Sequence, residues 1–268
     1  MTQREAFLFD LWGFVVIEGV LGADELQRAN AAVDHYAELI QNREPGLAGG
    51  STVLAREAGR GEFLENPLTF ERPWCEPFRA MLTHPRSIDI FNEILGPGYR
   101  LDHGPGFIRM NRGTEGHQLH GSMTFDTSQY HRFVDGHVQC GLCVAAWQLT
   151  DVRAGDGGFA CIPGSHKANY RPPYEVLRLE EDWGCVQQVV APAGSLVIFN
   201  EALVHGTLPW QPADRERRSI LFKYSPGFIA WGSPQEVPIA DPTPTEAALY
   251  DFPRRTDRTE LDPSPTQE

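Results

Sequence analysis

Two kinds of hydrophobic spacing divide the chain near residue 99. Before it, apolar side chains recur every three or four positions. Leu26, Ala29, Ala32, Val33, Tyr36, Leu39 and Ile40 form one stripe, which predicts an amphipathic helix over residues 24–43. Residues 77–95 read as two short helices. They split at His84-Pro85, because proline suits a first helical turn but not an interior, and they stop at Gly96-Pro97-Gly98. Upstream, residues 6–20 read as a short helix or turn followed by a strand at 13–17, and the glycine-rich residues 43–61 read as a loop. Beyond residue 99, apolar runs of about five to eight residues alternate with Gly, Pro and Asp clusters. The runs are 106–110, 140–149, 158–162, 186–190, 194–199 and 219–224. Short strands at such intervals predict a sandwich or barrel, and helices ahead of strands predict an α+β architecture with helices packed on one sheet. Residues 233–268 carry many prolines and charges and few apolar side chains. They read as a Pro-rich acidic surface tail, partly disordered, attached to a single domain over residues 1–232.

Composition narrows the partners. Hydrophobic residues make up 41% of the 268, enough for a substantial core. A net charge of −13 argues against a nucleic-acid partner, whose phosphate backbone needs a basic face. No apolar run approaches the roughly 18 residues of a membrane span. The opening Met1-Thr2-Gln3-Arg4-Glu5 lacks the pattern of a signal peptide. The five cysteines are an odd number, which with these features predicts reduced thiols and a cytoplasmic protein. Cys140-Gly141-Leu142-Cys143 is a C-x-x-C. On a strand running through residues 139–149 its thiols would face opposite sides, and no second cysteine pair completes a zinc site, so it reads as structural.

The chemistry is carried by three positions in order. His120 lies in Gly116-His117-Gln118-Leu119-His120-Gly121-Ser122, after a polar turn and before a glycine that permits close approach. His205 follows the apolar run 194–199 and precedes Gly206, which gives the chain room to turn. Arg217 opens the run that continues to Tyr224. Two neutral imidazoles from different strands suit Fe(II), which keeps positions open for a chelating co-substrate and O₂. An arginine fork suits the far carboxylate of 2-oxoglutarate. Arg217 and Arg218 are adjacent on a strand, so only one faces inward, and its spacing from His205 selects Arg217. Thr207, two residues after His205, shares its face and is placed to donate to the same carboxylate.

These motifs resemble the phytanoyl-CoA dioxygenase family of Fe(II)/2-oxoglutarate oxygenases. The likeness runs from the opening residues 7–21, through Leu149-Thr150-Asp151-Val152, Gly157-Gly158-Phe159 and Pro163-Gly164-Ser165-His166-Lys167, to Leu203-Val204-His205-Gly206-Thr207 and Arg217. It implies a double-stranded β-helix, a cupin-like jelly roll of eight strands. Iron and 2-oxoglutarate would sit in its mouth, with His166 structural. It also implies a dioxygenase that oxidises, most simply hydroxylates, a small organic molecule with O₂. The family pattern is His-x-Asp, whereas this chain reads His120-Gly121-Ser122. Serine is a poor neutral ligand for iron. Asp126, six residues after His120, is the expected substitute. Glu201, four residues before His205, would lie about 13 Å away on a regular strand, too far without a bulge. The third option leaves the position to water or an anion, as in related iron halogenases. A jelly roll that binds without catalysing is a further alternative. The stretch 124–136 reads as a distinctive lid, with Tyr130, His131 and Phe133 as expected substrate contacts. Oligomeric state and substrate identity are left open.

Overall fold

The structure is a computed structural model and describes residues 1–42, 46–56, 62–64, 66–121, 128–232 and 236–263. Thr2 starts α1 (Gln3–Trp12) with a capping box: its hydroxyl accepts from the Glu5 amide and the Glu5 carboxylate accepts from the Thr2 amide. Gly13, at φ 82°, ends the helix and turns the chain into β1 (Phe14–Ile17). Next come α2 (Ala23–His35), β2 (Gln41–Asn42), β3 (Glu62–Phe63), α3 (Glu76–Leu82) and α4 (Pro85–Ile94). The split at His84-Pro85 falls where the sequence places it, and the His84 ring caps α4 by accepting from the Arg86 amide. The helix expected over 24–43 stops at His35 instead. There His35 stacks on Trp74 at 4.2 Å and Tyr36 on Phe70 at 3.9 Å, contacts that compete with further helical turns.

The strand region comprises β4 (Arg100–Met110), β5 (His117–His120), β6 (His131–Val134), β7 (His137–Cys140), β8 (Cys143–Gln148) and β9 (Gly158–Cys161). After the short α5 (Tyr174–Leu177) it continues with β10 (Gln187–Gln188), β11 (Leu196–Asn200), β12 (His205–Leu208) and β13 (Arg217–Ser225). A short α6 (Pro244–Leu249) follows. One sheet has the order β1-β11-β8-β13-β4-β3-β2, the other β10-β9-β12-β5, and β6-β7 forms a separate hairpin. All the pairings are antiparallel, and the fold is a jelly roll with helices packed on the larger sheet.

Strand alternation sorts the core into two layers. Leu196 and Ile198 of β11, Ala145 and Trp147 of β8, and Ile220, Phe222 and Tyr224 of β13 face the helices, where they meet Phe9, Val33, Phe78, Met81 and Phe91. Their neighbours Val197, Phe199, Val144, Ala146 and Leu221 face the space between the sheets. The second layer is thin and flanks an open mouth, so the thick helix-side core holds the larger sheet rigid beneath the site.

Two expectations change. Residues 236–263 are not a loose surface tail: Ile239, Leu249, Tyr250 and Leu261 join the helix-side core. Its anchor is ionic. Glu246 of α6 receives two hydrogen bonds of 2.8 Å from the Arg79 guanidinium of α3, and Asp241 adds a third. The C-x-x-C does not lie on one strand either. Cys140 ends β7, Cys143 begins β8, and Gly141-Leu142 reverse the chain between them. Both thiols are therefore buried on the same side, and Cys140 lies 3.6 Å from the His131 ring.

The Arg79–Glu246 pair generates a stability prediction. Glu246→Ala leaves a buried guanidinium with Asp241 at 3.2 Å and the half-exposed Glu76 at 3.8 Å as its carboxylate partners, and is expected to lower unfolding free energy by about 3 kcal/mol. Urea denaturation measures it, and a loss below about 0.5 kcal/mol, the level of an ordinary surface change, would show that the segment is not held by this pair.

Candidate active site

A cavity of about 300 Å³ opens between the sheets where β12 meets β5. Its position follows from register. In the antiparallel β12–β5 ladder His205 lies opposite His120, bringing the imidazole centroids within 4.4 Å. Gly206 is required for this approach, since a Cβ there would stand 2.5 Å from the His117 carbonyl oxygen. Gly121 is equally constrained: a Cβ would stand 2.4 Å from the Leu203 carbonyl oxygen. Gly206 therefore serves close strand pairing within β12 rather than a turn.

Both rings are oriented by backbone. Nδ1 of His120 donates to the Gln118 carbonyl at 3.2 Å, and Nδ1 of His205 donates to the Leu203 carbonyl at 2.7 Å. A carbonyl only accepts, so in the neutral form of each ring the proton sits on Nδ1 and Nε2 keeps its lone pair. Burial, aided by the nearby His120, pushes the titration of His205 down to about 4, so its ring is neutral near pH 7. Imidazoles tethered through Nδ1 to a carbonyl are oriented as a divalent cation needs its ligands.

Glu201 completes the cluster. The ligand atoms of His120, Glu201 and His205 lie within 4.8 Å of one another, and Glu201 Oε2 is 4.0 Å from His205 Nε2. The objection drawn from sequence, about 13 Å of strand, fails because no single strand joins the two residues. β11 ends at Asn200, residues 201–203 turn, and His205 starts β12 on the opposite sheet. Lys223 Nζ holds Glu201 Oε1 at 2.6 Å. Burial opposes the charged form of Glu201, but His205 and Lys223 outweigh it and hold the carboxyl below the usual range. Asp126, the expected substitute, lies outside the described residues, as does Ser122.

Arg217 faces the cavity and is 3% exposed. Nη1 touches the Met110 sulfur at 3.4 Å, Nε has no hydrogen-bond partner, and among the described residues no carboxylate pairs with it. Burial pulls its titration down to about 10, which still leaves it charged near pH 7. A buried cation of this kind is costly unless an anion joins it. Gly158, at φ 82°, lies against it; a Cβ there would come 3.3 Å from Arg217 Nε. Arg218 points the other way, to Glu216, to Asn30 at 3.2 Å and to Asp34 at 2.6 Å. Thr207 lines the cavity on the face of His205. Phe159, Phe199, Val197, Ala146 and Leu221 supply apolar wall, with the Phe199 ring 4.7 Å from that of His205.

Sequence reading weighed Glu201 but set it aside as too distant, and it missed Lys223 and His117, whose ring lies 4.3 Å from that of His120. Lys223 is accessible through parity, since 217, 219, 221 and 223 share one face of β13. Of the expected substrate contacts, none lines the cavity. Phe133 is 70% exposed, Tyr130 lies under Arg132, and His131 pairs with Asp10 at 3.1 Å. They belong to the β6–β7 hairpin, which packs on α4 instead. The lid stretch 124–127 lies outside the described residues. His166 is structural here too, with Nε2 on the Asp10 carbonyl at 3.0 Å.

The chain matches the phytanoyl-CoA dioxygenase (PhyH) family over residues 9–219 and belongs to it. It is thereby an Fe(II)/2-oxoglutarate-dependent oxygenase, with iron and 2-oxoglutarate as cofactors. Among solved structures it is similar to HygX from Streptomyces hygroscopicus with nickel, 2-oxoglutarate and hygromycin B bound. That likeness has TM-score 0.68 at 23% identity, covering 86% of this chain and 89% of that one. It is also similar to the α-ketoglutarate-dependent epimerase SnoN of nogalamycin biosynthesis, with TM-score 0.61 at 18% identity over 84% and 83% of the chains. The carbocyclase SnoK of the same biosynthesis gives TM-score 0.62 at 16% identity over 85% of each chain. At such identities these likenesses establish the fold. No curated protein matches the sequence. No helix among the described residues is long and apolar enough to cross a membrane.

The buried histidines predict a pH dependence. Burial pushes both His205 and His166 down to about 4, whereas an unfolded histidine titrates near 6.5. Between these values the unfolded chain binds protons that the native one refuses. Stability is therefore complete above about pH 6.5 and falls as pH drops towards 4. Each group contributes a loss of roughly 1–2 kcal/mol by pH 5. His131 offsets part of it: burial disfavours its charged form, but Cys140 and Asp10 outweigh this and raise its titration. His166→Gln should flatten the profile of the metal-free protein between pH 7 and 5 in urea melts. An unchanged slope would contradict this reading.

Proposed function

We propose that the enzyme hydroxylates an unactivated C–H position of a small organic molecule, with iron held by His120 and His205 and 2-oxoglutarate anchored by Arg217. The observation that carries this reading is the buried Arg217 guanidinium, without a carboxylate partner among the described residues, sharing one cavity with two imidazoles whose ring centroids lie 4.4 Å apart. The residues present fit both cofactors: lone-pair nitrogens for a divalent metal, and a desolvated fork for a carboxylate.

When bound, iron with 2-oxoglutarate supplies O₂ activation coupled to oxidative decarboxylation. The chain's own groups prepare that chemistry. The Gln118 and Leu203 carbonyls fix the tautomer of each neutral imidazole, so Nε2 is the nitrogen left for a metal. Arg217 orients the co-substrate through its far carboxylate, with the Thr207 hydroxyl as a second donor on the same wall. Phe159, Phe199 and Leu221 exclude water, which strengthens the Arg217 contact and limits side reactions. The volume of about 300 Å³ is at the low end for ligand pockets, so a substrate larger than the co-substrate must extend past His103 and His117 at the lining. HygX and SnoN, whose structures hold hygromycin B and a nogalamycin, favour a natural-product substrate carrying oxygenated rings.

Conversion of 2-oxoglutarate to succinate and CO₂ tests this directly: it should require Fe(II) and O₂. Absence of Fe(II)-dependent succinate with active protein would refute it. Arg217→Ala should weaken 2-oxoglutarate binding about 10- to 150-fold, the equivalent of about 1.5–3 kcal/mol for a charge-assisted hydrogen bond. Arg218→Ala should leave it within about twofold, since Arg218 bonds outward to Asn30 and Asp34. Calorimetric titration of 2-oxoglutarate checks both, and a loss confined to Arg218→Ala would reverse the assignment.

A further inference from the structure

We propose that Glu201 supplies the carboxylate ligand to iron, from the turn between β11 and β12, in place of the acid that the His120-Gly121-Ser122 motif lacks. The proposal rests on the reading of His120 and His205 as iron ligands.

Geometry comes first. Glu201 Oε2 lies 4.0 Å from His205 Nε2. Donors on one face of an ion, with bonds of about 2.0–2.2 Å, stand roughly 3 Å apart, so side-chain rotation that closes the gap by about 1 Å brings both atoms to one ion with the backbone where it stands. The turn is clamped at several points. The Asn200 amide donates to the Gly13 carbonyl at 3.0 Å, and the Glu201 amide to the Leu142 carbonyl at 3.0 Å. Asn200 Oδ1 accepts from the Ala202 amide at 2.6 Å, and its backbone oxygen accepts from the Leu203 amide at 2.9 Å. A carboxylate mounted this way sits on a turn tied to the ends of the larger sheet rather than on a free loop.

Burial is the second argument. Glu201 is 4% exposed at the wall of an apolar cavity, and its charge must be met there. Lys223 meets one oxygen at 2.6 Å. The other oxygen lies 4.0 Å from His205 Nε2, beyond hydrogen-bond distance. A divalent cation placed among the three groups satisfies Oε2 and both Nε2 lone pairs at once. Two nitrogens and one hard oxygen form the donor set that suits Fe(II) with open positions. A neutral serine hydroxyl at position 122 competes poorly with that oxygen. Glu201 also fills the coordination role that a halide would take if no carboxylate were at hand.

Lys223 is then the charge partner of Glu201, not a part of the metal site. It draws Oε1 towards β13 and leaves Oε2 towards the histidines. As a cation near the ion it also weakens metal binding, so its removal keeps or raises affinity.

Anaerobic Fe(II) titration of the full chain by calorimetry, with thermal melts as a control of folding, tests the assignment. The wild type should bind one Fe(II). Glu201→Gln should weaken binding by at least about tenfold, the lower range of what even an outer partner of a ligand contributes, at an intact melt. Asp126→Ala and Lys223→Met should retain it. If Glu201→Gln does not fold, Glu201→Asp keeps the charge but withdraws the oxygen by one methylene, and weaker Fe(II) binding is expected; unchanged affinity would overturn the proposal. Unchanged affinity in Glu201→Gln overturns it as well, and with a loss in Asp126→Ala would move the ligand to Asp126. An equal loss in Glu201→Gln and Lys223→Met would make Glu201 only the structural partner of Lys223. If the wild type binds no Fe(II), or His205→Ala binds it as well as the wild type, the two-histidine reading itself fails, independently of Glu201.

Discussion

The pairing of His205 with His120 across the β12–β5 ladder is the constraint on which the rest of the site depends. The two residues are far apart in the chain, and only strand register brings their rings to 4.4 Å. A slip of one residue would turn both imidazoles out of the cavity. The register is protected by sterics. Gly121 and Gly206 sit where the backbones of neighbouring segments come too close for any Cβ. It is protected by hydrogen bonding as well, since each ring is tied to a carbonyl two residues earlier in its own segment. The helix-side core, with Trp147, Phe91, Phe222 and Tyr224 packed on the larger sheet, supplies the stiffness that such a register needs.

On this frame the cavity concentrates charges that stability alone would not select. A buried Arg217 with an unpaired Nε lies on the same face of β13 as Lys223, and Glu201 faces both histidines. Apolar walls make each of these groups expensive to leave unmatched. The arrangement becomes economical once a dicarboxylate and a divalent cation occupy it together: one carboxylate meets Arg217, and the cation meets the histidines and the acid. Structure and cofactor requirement are thus two sides of one electrostatic balance, in a family whose members use these cofactors.

Much of this arrangement is legible in the amino-acid sequence. The change from helical to strand spacing near residue 99 locates the layers. Alternation on β13 separates Arg217 from Arg218, because adjacent strand residues must face opposite ways. The features that escape sequence reasoning depend on where strands end. Spacing alone suggests that Glu201 shares a strand with His205, four residues on, whereas the chain reverses between them and changes sheet. Cys140 and Cys143 likewise read as one strand, although the turn at Gly141-Leu142 separates β7 from β8. Strand ends are set by tertiary pairing, and an apolar run does not reveal them. The segment after residue 235 misleads through composition. Its prolines and charges hide four core residues and one glutamate, Glu246, whose partner Arg79 is remote in sequence.

The most direct measurement is a crystal structure of the protein with Ni(II), a redox-inert stand-in for Fe(II), and 2-oxoglutarate. One metal ion should be bonded to Nε2 of His120, Nε2 of His205 and a Glu201 carboxylate oxygen, with the far carboxylate of 2-oxoglutarate on Arg217. A metal bound away from the two histidines, or 2-oxoglutarate bound without contact to Arg217, would contradict the assignment.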